Sequence, residues 1–110
     1  MADIKKIIMD SLRIPVIDLF DPILPPCATW YPTNENAGLN GDGKEEERLE
    51  SYQIDVWDRD REMVRTRGRK LKAELMMMGE AMSIPDLSYQ YDNNGKIWRA
   101  TLTFSLIGKE

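Results

Sequence analysis

The sequence predicts an α+β domain, a mostly antiparallel sheet of four to five strands with two helices packed on one face. Three observations carry this. Residues 97–107 alternate, with Trp98, Ala100, Leu102, Phe104 and Leu106 on one side and Arg99, Thr101, Thr103 and Ser105 on the other. Residues 60–78 switch to helical period, with Val64, Gly68, Leu71, Leu75 and Met78 on one stripe. The order along the chain is helix, two weaker strands, a strong strand, helix, then hairpin, and no linker or internal repeat divides residues 1–110.

Each element has its own local cause. Residues 3–12 form a short helix because Ile4, Ile7, Ile8 and Leu12 recur at helical spacing, Asp3 can cap its start and Pro15 ends it. Residues 16–20 read as a short strand before the turn signals Asp21-Pro22 and Pro25-Pro26. Residues 27–33, CATWYPT, are β-prone, and Pro32 marks an edge strand. Residues 34–47 are acidic, glycine-rich and almost free of apolar side chains, which predicts a mobile loop. Residues 49–57 are the first clear strand, since Tyr52, Ile54 and Val56 alternate with Ser51, Gln53 and Asp55. On the helix that follows, Arg61, Arg65, Arg69 and Lys72 form an outward stripe and Gly79 is placed as C-terminal cap. Residues 87–92 and 97–107 make a hairpin around Asn94-Gly95, with a loop that spans up to 92–96. Burying the apolar face of its second strand is worth on the order of 10 kcal/mol before entropy, so this strand belongs in the core.

Composition bounds the function. The chain has 110 residues, is 42% hydrophobic and 31% charged, and so reads as one ordinary globular domain. No apolar run approaches the ~20 residues of a membrane helix. Asp10 interrupts the N-terminal apolar run, which does not read as a signal peptide. The single cysteine, Cys27, allows no internal disulfide. There is no histidine, which excludes Ser–His–Asp and Cys–His catalysis within one chain and leaves carboxylates, lysine or a hard metal ion. The net charge is −4, yet residues 59–74 hold seven cations against three acids, so a +4 element sits on a −8 remainder. Such asymmetry suits self-complementary assembly or a polyanion.

Several motifs invite chemistry. Residues 38–44, GLNGDGK, fit the spacing of a phosphate-binding loop, but Glu45 stands where Ser or Thr should hold magnesium, and Glu46 and Glu47 would repel phosphate. A calcium loop would need a helix on each side, and a strand is expected after this one. The run Met76, Met77, Met78, with Met82, reads as adaptable core packing rather than a soft-metal site. The arginine stripe suits a solvated face or a subunit contact, because acids interleave it and the pI is near 4.9. Trp30, Tyr31 and Trp57 offer stacking surfaces, and alternation puts Trp57 on the polar face, as sheet-end packing or interface anchor. Asp55, Asp58 and Asp60 have spacing that could hold a metal, but a strand end followed by a helix cap accounts for it without chemistry. No cofactor or metal is expected.

The stretch 50-ESYQIDVWDRDRE-62, a strand reading Y-x-I-D-V-W followed by a polar turn and an amphipathic helix, resembles the tail terminator or tail-completion (head–tail joining) proteins of long-tailed bacteriophages and prophages. The short N-terminal helix, the PCATWY strand with its acidic loop and the final hairpin SYQYDNNGKIW extend the resemblance over nearly the whole chain. It implies a non-enzymatic subunit, with no catalytic signature. It further implies a homo-oligomeric ring, usually of six copies, that caps the tail tube and faces the head connector. The implied partners are the chain itself, the tail tube protein and the connector proteins, with no membrane. The implied location is the virion, or the host cytoplasm during assembly. A loop centred on Leu39 would then meet a neighbouring subunit or the tube. The candidate interface is Trp57, Arg61, Arg65, Arg69 and Lys72 on one copy against Leu39, Glu45, Glu46 and Glu47 on the next. The alternative is a small nucleic-acid-binding accessory domain that uses the basic helix 59–74.

Overall fold

The computed structural model describes residues 4–17, 21–34, 47–77 and 84–109. Its elements are α1 (Ile4–Leu12), β1 (Cys27–Asn34), β2 (Glu47–Asp58), α2 (Arg61–Met76), β3 (Asp86–Asp92) and β4 (Ile97–Lys109). The strands form one antiparallel sheet in the order β1-β2-β4-β3. β4 returns between β2 and β3, so β2, α2 and β3 make a split crossover with β4 at its centre.

The fold is α+β, as the periodicities predict. Ile4, Ile8 and Leu12 of α1 and Val64, Leu71 and Leu75 of α2 join Ala28, Ile54, Val56, Ala100, Leu102, Phe104 and Leu106 in one buried core. The strand residues in that set share one face by register: Ala28 faces Val56, Val56 faces Ala100, and Ile54 faces Leu102. Both helices therefore lie on one side of the sheet, and they touch each other there. At Gly68 α2 comes closest: a Cβ there would lie 3.2 Å from the Ala100 Cβ. Trp30, Tyr52 and Phe104 continue the core as a ring cluster, with centroids 6.0 and 5.7 Å apart.

Three points depart from the sequence expectation. The strand expected at 16–20 is one isolated parallel bridge, Val16 to Ala28, and 18–20 lie outside the described residues. Among the described residues the segment pairs through two bonds, Ala28 N–H to Pro15 O and Ile17 N–H to Ala28 O, each 2.9 Å. α1 ends at Leu12, where the sequence places its end, and Arg13 closes it with φ 55 and an N–H donated to Met9 O at 2.9 Å. α2 ends at Met76 and is capped by Met77, whose N–H bonds Glu74 O at 3.1 Å; Gly79 lies outside the described residues. Met76 and Met77 are 55% and 76% exposed, which corrects the expected core packing of the methionine run. The buried stripe passes through Leu75, and the next two positions turn away by about 100° each. Met78 and Met82 lie outside the described residues, as does the phosphate-loop spacing at 38–44.

The β3–β4 hairpin closes through residues 93–96. Asn94 N–H bonds Asp92 Oδ1 at 3.0 Å, and Lys96, not Asn94 or Gly95, takes the left-handed φ of 52. Among the described residues no helix is long and apolar enough to cross a membrane.

Candidate assembly interface

The end of the sheet where β2 stops and β4 starts carries the sequence-predicted site, and it is built around the three aspartates. Asp60 is the N-cap of α2, extended in backbone, with its carboxylate accepting from Glu62 N–H at 2.9 Å. Asp58 accepts from Asp60 N–H at 2.9 Å and pairs with Arg67. Asp55 is only 4% exposed, on the sheet face away from the helices. Thr101 Oγ1 donates to its Oδ1 at 2.7 Å, and Gln53 Nε2 donates to its Oδ2 at 3.2 Å. These acids sit apart and are occupied with capping, junction and cross-strand bonds. Among the described residues no three His, Cys, Asp or Glu side chains converge as metal ligands.

The Asp58–Arg67 pair sorts the cations of α2. Arg67 is neutralised at the strand–helix junction. Arg61, Arg65 and Arg69 have no ion-pair partner among the described residues. They stand four residues apart on one helix face and line a groove of about 300 Å³ whose floor is Trp98 and Tyr89. The Arg61 guanidinium lies over the Trp98 ring, 5.7 Å from its centroid. Tyr91 packs on Trp98 with centroids 4.9 Å apart. Lys72 continues the stripe, half-buried, but does not line the groove.

Trp57 lies elsewhere. Its neighbours across the sheet are Cys27 and Arg99, which puts it on the face opposite the helices. Its Nε1 donates to Thr29 Oγ1 at 3.3 Å, and the Arg99 guanidinium lies 5.3 Å from its ring centroid. A second hollow of about 280 Å³ is lined there by Trp57, Gln90, Tyr91, Asp92 and Arg99, with Arg99 also donating to Gln90. The structure thus brings Arg61, Arg65 and Arg69 together with Trp98 rather than with Trp57. Leu39, Glu45 and Glu46 lie outside the described residues, and Glu47 opens β2 opposite Lys109.

The chain matches no known family model and no curated protein. Its site is therefore read from geometry. Sequence reasoning placed Trp98 on the core face, which is right by parity, but Trp98 sits at the open end of that face and is half-buried. Tyr89 and Tyr91, on the same parity as Leu87, are 40% and 45% exposed. The alternation Leu-x-Tyr-x-Tyr held the signal for them; what was missing was that β3 is an edge strand, with Leu87 close under Gly68 of α2 and the two tyrosines more open.

Proposed function

We propose that this protein is a non-enzymatic structural subunit of a bacteriophage or prophage. It acts as a tail terminator or head–tail joining protein by assembling into a ring at the tail–head junction. One observation carries the reading: a single sheet end gathers Trp57, Trp98, Tyr89, Tyr91, Arg61 and Arg99 at partly or fully exposed positions. Trp, Tyr and Arg are the side chains that dominate association hot spots. The resemblance of 50-ESYQIDVWDRDRE-62 supplies the biological setting, with the tail tube protein and head connector proteins as the further partners. A ring needs contacts in which one patch meets a different patch on the neighbour, and the +4 and −8 parts of the chain are suited to that.

The test is solution mass by native mass spectrometry over a range of concentrations, with negative-stain imaging. A closed ring, expected to hold six copies, supports the reading. A chain that stays monomeric both alone and with assembled tail tubes sinks it.

A second reading has its own observation, the Arg61–Trp98 stack, because arginines beside an aromatic floor also suit single-stranded nucleic acid. It predicts oligonucleotide binding whose affinity falls steeply with salt.

A further inference from the structure

The ring reading leaves open which surfaces meet, and the two edges of the sheet answer differently. The β1 edge is guarded. Pro32 stands within it, its register slips between Pro32 and Asn34, and the Val16 bridge covers Ala28. Among the described residues the β3 edge has none of these. Between Asp86 and Asp92 it reads LSYQY, with no charge, no proline and an unbroken register to β4. Along it runs the groove of Arg61, Arg65 and Arg69, three cations without ion-pair partners among the described residues. An open row of backbone donors and acceptors beside a row of cations fits an extended acidic peptide.

Two copies of β3 do not suit each other. Antiparallel pairing centred on Tyr89 would set Asp86 against the partner's Asp92 at both ends and bring two arginine rows together. The complementary charge lies in the segment that joins β1 to β2. Residues 35–47 hold five carboxylates and one lysine, a charge of −4 that matches the +4 of residues 59–74.

The described ends of that segment stand well away from the groove of its own chain. Tyr89 faces Ala100, which faces Val56, nine residues along β2 from Glu47 and so about 30 Å away. The segment leaves β1 at Asn34 and re-enters at Glu47 on the neighbouring strand, so at most half of its 12 intervening residues, about 20 Å of chain, can lead outward. A second copy has no such limit.

We propose that the groove between α2 and the β3 edge receives the acidic segment 35–47 of a second copy of this chain, head to tail. This deepens the ring reading and rests on it for its biological setting. The arginines are spaced about 6 Å apart along the helix, close to the ~6.6 Å that separates alternate residues of an extended chain. Nucleic acid shares that spacing. It has no peptide backbone, however, with which to extend the ladder of a strand edge.

The experiment titrates the full chain, diluted until monomeric, with a synthetic peptide of residues 33–48, TNENAGLNGDGKEEER. Binding is followed by amide chemical shifts. The expected result is saturable binding that shifts the amides of residues 61–69 and 87–91. It should weaken at least tenfold in the Arg65→Glu/Arg69→Glu variant, whose melting temperature serves as the fold control, and disappear when the peptide's Glu and Asp are replaced by Gln and Asn. Absence of binding, equal binding by the variant, or displacement of the peptide by a tighter-binding oligo-dT overturns the proposal. Wild-type solution mass separates the two readings. A bound peptide with no ring in solution or on tail tubes sinks the ring and keeps the groove. A ring unchanged by the double variant, with no peptide bound, does the reverse.

Discussion

Gly68→Ala tests how tightly α2 is seated on the sheet, and therefore how the arginine row is held. A Cβ at position 68 would meet the Ala100 Cβ and the Leu87 Cδ1, each at 3.2 Å. The leucine methyl can rotate aside, but the Ala100 Cβ is fixed to the central strand. Replacing Gly by Ala inside a helix favours folding by about 1 kcal/mol. Overpacking a well-filled contact costs about 1–3 kcal/mol. Here α2 must lift by a few tenths of an ångström, so the expected net effect is a loss of about 1 kcal/mol, or roughly 4 °C in Tm for a domain of this size. The sign should reverse when the obstacle is removed. In an Ala100→Gly background, Gly68→Ala should stabilise by about 0.5–1 kcal/mol, which gives a coupling energy of about 1.5–2 kcal/mol. Urea denaturation of the four proteins in the cycle measures it. If Gly68→Ala stabilises the wild-type chain and the coupling is near zero, the close approach is not what holds α2, and the reasoning fails.

Asp60→Ala removes the α2 cap and should cost about 1 kcal/mol in urea midpoint analysis, with Asp60→Ser nearly neutral. Asp55→Ala strands the donors of Thr101 and Gln53 and should cost about 1–3 kcal/mol; adding Thr101→Val should recover part of that, a test by thermal melting that a purely local charge effect would not pass. Burial raises the Cys27 pKa, a hydrogen bond with the Leu24 backbone partly offsets this, and the charge of Asp58 raises it further. The unfolded chain releases the thiol proton from about pH 8.5 while the folded chain keeps it, so this contribution is complete below that pH and is lost as pH rises toward the folded pKa. The stability gap between wild type and Cys27→Ala should therefore narrow between neutral pH and about pH 10, and a constant gap would show that Cys27 does not titrate differently on folding.

The strands and helices that bury a face were legible because burial imposes a period. Residues 97–107 and the stripe Val64, Gly68, Leu71, Leu75 are found where alternation and helical spacing place them. Positions without that constraint were not legible. Val16 reads as a strand by composition, but a strand is defined by a partner, and among the described residues this segment meets β1 at Ala28 alone. The site shows the same division. Alternation put Trp57 on the polar face and the arginines on an outward stripe, both correctly. It could not show that β4 lies between β2 and β3, and that insertion is what puts Trp98 and Tyr89 beneath Arg61, on the face that Trp57 does not share. Strand order is a long-range property, and no local window contains it.

Strand order also makes the molecule polar. α2 starts where β2 ends, so its first three turns, with Arg61, Arg65 and Arg69, are held at one end of the sheet by the Asp58–Arg67 pair and the Asp60 cap. The connection between β1 and β2 must leave from the other end, because those strands are antiparallel neighbours. Glu47, where the most acidic segment of the chain rejoins the sheet, is thereby about 30 Å from the most basic surface, a distance set by the length of β2. Like ends repel and unlike ends attract, a rule met both by side-by-side antiparallel pairing about a two-fold axis and by contacts that repeat in one direction, as in the proposed ring. Repetition with rotation closes a ring, and repetition without closure gives a filament. What charge cannot fix is the rotation between neighbours. That angle must come from the shape of the contact, and the rigid parts able to set it are the β3 edge and the Trp98 floor.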